Sequence, residues 1–310
     1  MRRNIIETYR DTVYAKGEYR LCIQALEEAG MMVPLKGGPG VVGIDGDEYP
    51  APTEAQTLTL FERDADLIEE KRAQGFTRLL LTPIAMPLPR LIDHVNAYVN
   101  KRSEQGPIIR TKRDHGDPDV AVEPSSKEPV WIWERVGRAL DTPEVVYFPT
   151  AYEKQDHGGQ SKDEVVHDPR RCVVPGWSVG LVEDIPIMPR KGGGEVVGGR
   201  RQLEAGSTPR DYLETLLSPP YRRETGWTME DMLTHFLTVL HATGQVSHDR
   251  SDGNALWLLG MYMPTLMPKA LVVPTGHWSS GRGRRLYLGA HRTGNRFDIA
   301  VARTVVRLQG

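Results

Sequence analysis

Cysteine is scarce in this chain: Cys22 and Cys172 are the only two among 310 residues. Two cysteines so far apart do not make a disulfide framework, and no CxxC is present for zinc or redox work. They read as two separate reduced thiols. No apolar run is long enough to span a bilayer. Behind Arg2 and Arg3 there is no apolar segment of the signal-peptide type. The expectation is a soluble chain, cytoplasmic unless another route exports it or displays it at a surface. Catalytic motifs are missing too. No Gly-x-Ser-x-Gly elbow occurs. The glycine runs at 37–40 and 192–199 lack the Gly-Lys-Ser/Thr ending of a phosphate loop and are not a GxGxxG between strand and helix.

What is present is a chain long enough for two modest domains or one large one. Its 31 Gly and 23 Pro point to many turns. Ile5, Tyr9, Val13, Leu21, Ala25 and Ala29 recur at helical spacing and predict a helix over 5–29, stopped by Gly30. Residues 37–46 read as a turn-rich loop. Thr53 caps a second helix that places Leu58, Phe61, Ala65 and Ile68 on one face and ends near Gly75. Phe76 to Ile84 reads as a buried strand, and Pro87 and Pro89 open a helix ending near Gln105. Residues 1–105 thus form a helix–helix–strand–helix unit, and 106–129, polar with Pro and Asp, a linker or long surface loop.

From 130 the texture changes. Strands are expected at 130–133, 145–148 and 177–188, with a mobile loop or hairpin tip at 191–200. Ser207-Thr208-Pro209 starts one helix. Thr228 to Asp231 is a capping box with Asp in place of Glu, and starts a second helix that ends before Gly244. Beyond it, 255–262 and 304–308 are the strand candidates.

Three polar groupings have bland readings. His157, His167, Asp168 and Cys172 fit no zinc spacing and read as separate side chains, so no metal is expected. Asp249 to Asn254 resembles part of a calcium loop but lacks the later Glu, and reads as a turn capping the next strand. His235 and His241, six apart on one helix, do not share a face as an i, i+4 pair would.

The last fifty residues stand out. Between Ser279 and Arg307 there is no Lys, Glu, Gln, Met or Trp. Arg, Gly and small residues dominate, with Tyr287, His291, Asn295 and Phe297 among them. Tyr and Arg supply contact area and hydrogen bonds, while Gly, Ser and Asn adapt. The missing types are those that an asparagine codon altered only at its two adenines cannot reach.

The segment Gly226-Trp227-Thr228-Met229-Glu230-Asp231-Met232-Leu233, then Thr243 to Ser247, then Gly253 to Tyr262, resembles variable proteins of diversity-generating retroelements of uncultivated archaea and bacteria. So does the tail, with Trp278, Leu288 and Ala302-Arg303-Thr304-Val305-Val306-Arg307. Gln74 to Leu81, with Ala85 to Leu88, is similar to the same group. The resemblance implies an α+β chain: a C-type lectin-like domain, related to formylglycine-generating enzymes, over 130–310, with its variable region at about 255–307 and a smaller helix-rich α/β unit ahead of it. That unit could pack on the domain, oligomerise or attach it elsewhere.

Carried over residue by residue, the resemblance makes Ser279, Ser280, Arg282, Arg284, Tyr287, Gly289, Ala290, His291, Arg292, Asn295, Phe297 and Ile299 the variable, ligand-binding positions. The stretch from Trp278 to Leu288 is one residue longer than the family pattern, which leaves the register of 282–285 open. Trp257, Leu259, Trp278, Leu288, Val301 and Val305 would be the inward scaffold. The implied partner is a protein or cell-surface ligand, with no cofactor and no catalytic residue.

Two other classes compete. Seven Arg in the tail could serve a nucleic acid, although the formal net charge is −2 and no recognised motif accompanies them. An enzyme of the formylglycine-generating type would need a reactive cysteine pair, for which Cys22 and Cys172 are poor candidates.

Overall fold

A computed structural model describes residues 5–110, 120–185, 187–267, 269–281 and 283–309, with side chains from Val13 onward. The chain is of mixed α+β class. Helix α1 runs over Ile5–Glu28. Ala15, Cys22, Ala25 and Leu26 bury its inner face, whereas Val13, expected inside, is 52% exposed. The side chains of Ile5 and Tyr9 lie outside the described residues.

Strands β1 (Val33–Leu35), β2 (Gly38–Val42) and β3 (Glu48–Pro50) form an antiparallel meander where a loop was expected. Glycine there permits close strand approach as well as turning. A Cβ on Gly40 would stand 2.3 Å from the Tyr49 carbonyl oxygen and 2.6 Å from Pro50 Cα.

The expected second helix is two, α2 (Glu54–Arg63) and α3 (Ala65–Ala73), hinged at Asp64. Thr53 caps α2 through a reciprocal box with Gln56. Strand β4 (Phe76–Thr82) and helix α4 (Leu88–Gln105) follow. Then come β5 (Val130–Ile132), α5 (Glu134–Ala139), β6 (Val146–Tyr147), α6 (Lys162–His167), β7 (Ser178–Glu183) and the hairpin β8 (Val196–Val197) and β9 (Arg200–Arg201).

Helix α7 (Pro209–Leu216) starts at the Thr208 cap, and β10 (Glu224–Gly226) leads into α8 (Met229–Thr243). The Thr228–Asp231 box caps α8, and Gly244, in the left-handed conformation at φ 69°, ends it. The last six strands are β11 (Ala255–Trp257), β12 (Met261–Met267), β13 (Ala270–Ser279), β14 (Arg285–Arg292), β15 (Ala300–Ala302) and β16 (Thr304–Arg307).

The division at residue 105 does not separate two bodies. One antiparallel sheet runs β10-β16-β7-β4, so residues 76–82 share a ladder system with residues 304–307. The cause is in β4 itself. Leu79 and Leu81 enter one core cluster and Leu80 another, so both faces of the strand need cover. Helices α1 and α8 both pack against β4 and against each other, and α1 contributes to both clusters.

The described ends of the segment expected as a linker or long surface loop are docked on the rest of the chain. Residues 111–119 lie outside the described residues. On either side of them Ile109 pairs with Ala121 and with Gln245, and Ile108 and Val122 are buried. Helix α8 is buried along most of its length, between β4 on one side and β13 on the other. Trp227, Met232 and Phe236 join Leu80 and Leu288 in a single core cluster.

Candidate ligand-binding face

The second sheet places β13 at its centre. One edge of β13 pairs with β14 over eight residue pairs, from Val272↔Arg292 to Ser279↔Arg285. The other edge pairs first with β12 and then with β11. Strand β5 adds in parallel to β14, and β15 in parallel to β11. Successive side chains of a strand point to opposite faces, so this register sorts the tail into two sets.

The inward set includes Gly276, Trp278, Leu286 and Leu288. Trp278 stacks on Phe236 of α8 at 5.8 Å. A Cβ on Gly276 would meet Met232 Sδ at 2.1 Å, so the helix lies directly against the strand here. Trp257, Leu259, Trp278, Leu288, Val301 and Val305, expected as scaffold, are all buried.

The outward set includes His277, Ser279, Arg285, Tyr287, Gly289 and His291. Tyr287 is the middle of an aromatic row across three strands. His277 stacks on it at 5.4 Å from β13, and Trp131 packs at 5.3 Å from β5. Trp131 is itself 40% exposed. The Arg285 guanidinium lies over the Tyr287 ring at 5.8 Å.

A second aromatic group sits at the other end. Phe297 stacks on Trp257 at 5.4 Å, and His291 meets Phe297 edge-on at 4.9 Å. Trp257 pairs in register with Thr275, and Thr275 with Gly289. This buried scaffold tryptophan therefore floors the outward face. A groove of about 410 Å³ opens along β14, between Trp131, Trp133, Met267, Ala290, His291 and Arg292.

The other expected positions fall as follows. Ser279 and Ser280 are half-buried, and the Ser280 hydroxyl donates to Asp249. Arg284 and Arg292 are exposed, Asn295 is half-buried in the turn after β14, and Ile299 is half-buried just before β15. Arg282 lies outside the described residues. Ala290 departs from expectation: at 8% exposure it points inward, in alternation with Gly289 and His291. Ala290 nonetheless borders the groove next to Trp131 and Trp133.

Charge on this face comes from arginine and not from histidine. Burial, reinforced by Arg250, pushes the His277 imidazole down to about 4 and lowers His291 as well. Both rings are therefore neutral near pH 7, and the arginines Arg250, Arg284, Arg285 and Arg292 provide the local charge.

Trp131, Trp133, Thr275, His277 and Arg285 were not singled out as site residues. The strand that carries Trp131 was legible, since Val130-Trp131-Ile132 alternates. Strand β13 was not, because Pro274 and Gly276 read as breakers. Pro274 stands where the neighbour on that edge changes from β12 to β11, a position that tolerates a residue without an N–H.

The polar groupings resolve into structure. Asp168 accepts from Arg170 Nε at 3.0 Å and Nη2 at 2.8 Å and from Gln160 at 2.8 Å, which holds its carboxyl well below the usual range. His167 lies instead near Asp45 and Asp163, and these three could approach a cation only from exposed positions. Asp249 caps a short 3-10 turn over Arg250–Asp252, and Asn254 Oδ1 accepts from the Met188 N–H at 2.7 Å. His241 accepts or donates at Tyr98 Oη, 3.1 Å away.

Among the described residues the tail arginines do not form one basic strip. Arg307 is buried, bound to Asp231 at 2.5 Å and to Ser178, and Arg303 is buried against the Trp227 ring. Cys22 and Cys172 are both free and buried, in different core clusters, and burial pushes each thiol up to about 12. No helix among the described residues is long and apolar enough to cross a membrane. In comparisons with known proteins, no family model, no curated protein and no solved structure matches this chain.

Proposed function

We propose that this is a binding protein that presents changeable side chains on the outward face of the β13–β14 ladder. In this reading the C-terminal region has a C-type lectin-like fold. It is the variable protein of a diversity-generating retroelement, and a reverse transcriptase copying an adenine-mutated template rewrites its tail. The partner is a protein or a cell-surface ligand. One observation carries the reading. Along β14, Tyr287, Gly289 and His291 face outward, and all three are reachable from an asparagine codon, while Leu286 and Leu288 between them hold the core.

A rigid ladder under the displayed groups limits the ordering cost of binding. Trp131, Tyr287 and Phe297 provide the large contact area on which interface energy concentrates. Burial of Arg303 and Arg307 removes two cations from the nucleic-acid alternative. The buried, widely separated cysteines give no support to a formylglycine-type reaction.

Sequencing the DNA around the gene tests the reading. The expected result is a reverse-transcriptase gene and a near-identical template repeat whose mismatches fall only at template adenines, at the codons for outward positions. Mismatches spread over the codons for Leu286, Leu288 and Val301, or no repeat at all, would overturn it.

A further inference from the structure

Five arginines surround the outward face. Arg284 and Arg285 lie at one end of β14 and Arg292 at the other. Arg135 lies over the Trp133 ring at 5.9 Å. Arg250 is exposed, and its charge acts on both His277 and His291. The whole chain has a formal net charge of −2, so this is a local accumulation of cations.

The nearby acids do not cancel it. Asp249 is buried, accepts from the Ser280 hydroxyl and lies 3.5 Å from Arg110, which also holds Asp252. Glu134 pairs with Arg138. Between Ser279 and Arg307 the only acid is Asp298. Asp298 is exposed, as are Glu123 and Glu128 on the segment beside the β13–β14 turn. Among the described residues none of the five arginines meets a carboxylate at ion-pair distance.

Apolar surface runs between the cations. Trp131 and Trp133 line the groove with Met267, and Trp131 continues it to Tyr287 and His277. From Arg285 to Arg292 the strand rises roughly 24 Å at about 3.4 Å per residue, the reach of a short extended segment. The ring faces are largely taken. His277 stacks on Tyr287 at an interplanar angle of 14°, and Arg285 and Arg135 lie over Tyr287 and Trp133. Successive nucleic-acid bases need free ring faces to stack on. Carboxylates need only the guanidinium forks, which match them in geometry.

We propose that this face takes an extended acidic protein segment, with carboxylates on the arginines and an apolar side chain in the groove between Trp131, Trp133 and Met267. The proposal rests on the reading of this face as a binding surface and names its partner class. Trp131, Trp133, Arg135, Arg250 and His277 all precede Ser279. A rewritten tail would leave them in place, so the class would persist while the individual partner changed.

The test is fluorescence anisotropy of the full chain with short labelled probes. One is a glutamate-rich peptide with a central leucine. The others are its counterpart with lysine for glutamate, its counterpart with serine for the leucine, and a single-stranded thymidine oligonucleotide. The glutamate–leucine peptide should bind saturably and weaken as salt rises. The serine version should bind less well and the lysine version not at all. Arg285→Gln combined with Arg292→Gln should raise Kd roughly tenfold and flatten the salt dependence. Neither side chain is buried, so the melt should stay near wild type. Trp131→Ala should weaken the leucine peptide more than the serine one. Arg222→Gln, exposed beside Glu70, should change nothing. No saturable binding of the glutamate peptide, equal binding of the lysine peptide, or undiminished binding in the double arginine variant would each overturn the proposal. Tighter binding of the oligonucleotide would overturn it in favour of nucleic acid. A template repeat in the flanking DNA without acidic-peptide binding would strike the partner class alone. Acidic-peptide binding without a repeat would uphold the partner class and strike the retroelement reading.

Discussion

On β14, one peptide separates Leu286 and Leu288 from Arg285 and Tyr287, yet the two sets live under different rules. The leucines are sealed beneath α8 with Trp278 and Phe236. Arg285 and Tyr287 lie on a face open to solvent and touch mainly one another, His277 and Trp131. The same backbone ladder serves both, so tolerance to substitution is a property of direction and not of position along the chain. Truncating a buried Leu or Trp costs roughly 2–5 kcal/mol, and an ordinary surface change under ~0.5 kcal/mol. A tail whose alternate residues differ severalfold in what they can lose can change on one face without unfolding.

The largest effect should come from the inward set. Trp278→Ala removes the ring stacked on Phe236 and should cost about 3–5 kcal/mol. Urea unfolding should show this as a fall in midpoint at unchanged slope. Leu288→Ala should cost about 2–5 kcal/mol. A loss for either within experimental error of wild type would break the contrast. Next in size is Gly276→Ala. Its new methyl meets Met232 Sδ, and overpacking of this kind costs about 1–3 kcal/mol. In a Met232→Ala background the penalty should shrink, a coupling that a double-mutant cycle reads directly.

Much of the helical frame was legible because its signals are local. The Thr53, Thr208 and Thr228 caps, the Gly30 and Gly244 stops and Pro87 and Pro89 at the start of α4 all act within one turn. Two kinds of feature escaped. Strand β13 hides behind Pro274 and Gly276, whose places make sense only once β11, β12 and α8 are beside it. The shared sheet escaped because pairing residues 76–82 with 178–183, and these with 304–307, is a long-range choice that no window of sequence contains. At the site, the outward residues of the tail could be read from their types. Ala290 could not, since its type says little about direction, and without β14 its alternation had no phase. His277 and Trp131 were missed because they reach the face from other strands.

A pH titration separates the layers in another way. Burial lowers His277 to about 4 and His235 and His248 well below the ordinary value, while unfolded histidine titrates near 6.5. The unfolded chain binds more protons between these values, so stability should be full above about pH 6.5 and fall as pH drops toward 4. Asp249, Arg250 and His291 are the charged or titratable groups that act on His277. His277→Gln should flatten part of this slope and leave the rest, which belongs to the His235–His248 pair. Melting temperatures from pH 4 to 8 would show it. A slope identical to wild type would mean that His277 does not titrate through this window.

The smallest effects should lie on the outward face, and there the comparison is sharpest at a pair of glycines. Gly276 and Gly289 sit on neighbouring strands and differ in direction. A Cβ on Gly289 would find only Thr275 Oγ1, at 3.6 Å, an ordinary contact. Gly289→Ala should therefore leave stability within ~0.5 kcal/mol of wild type or raise it slightly, since alanine restricts the unfolded chain. Tyr287→Ser and His291→Ser should each stay near that limit, although both lose ring contacts. A variant carrying all three changes should still unfold cooperatively, with a midpoint far closer to wild type than that of Trp278→Ala alone. Its capture of any partner selected on the parent face should be lost, because the contact area resides in the rings. If the triple variant unfolds as readily as Trp278→Ala, the outward residues are part of the core and the face is not free to vary.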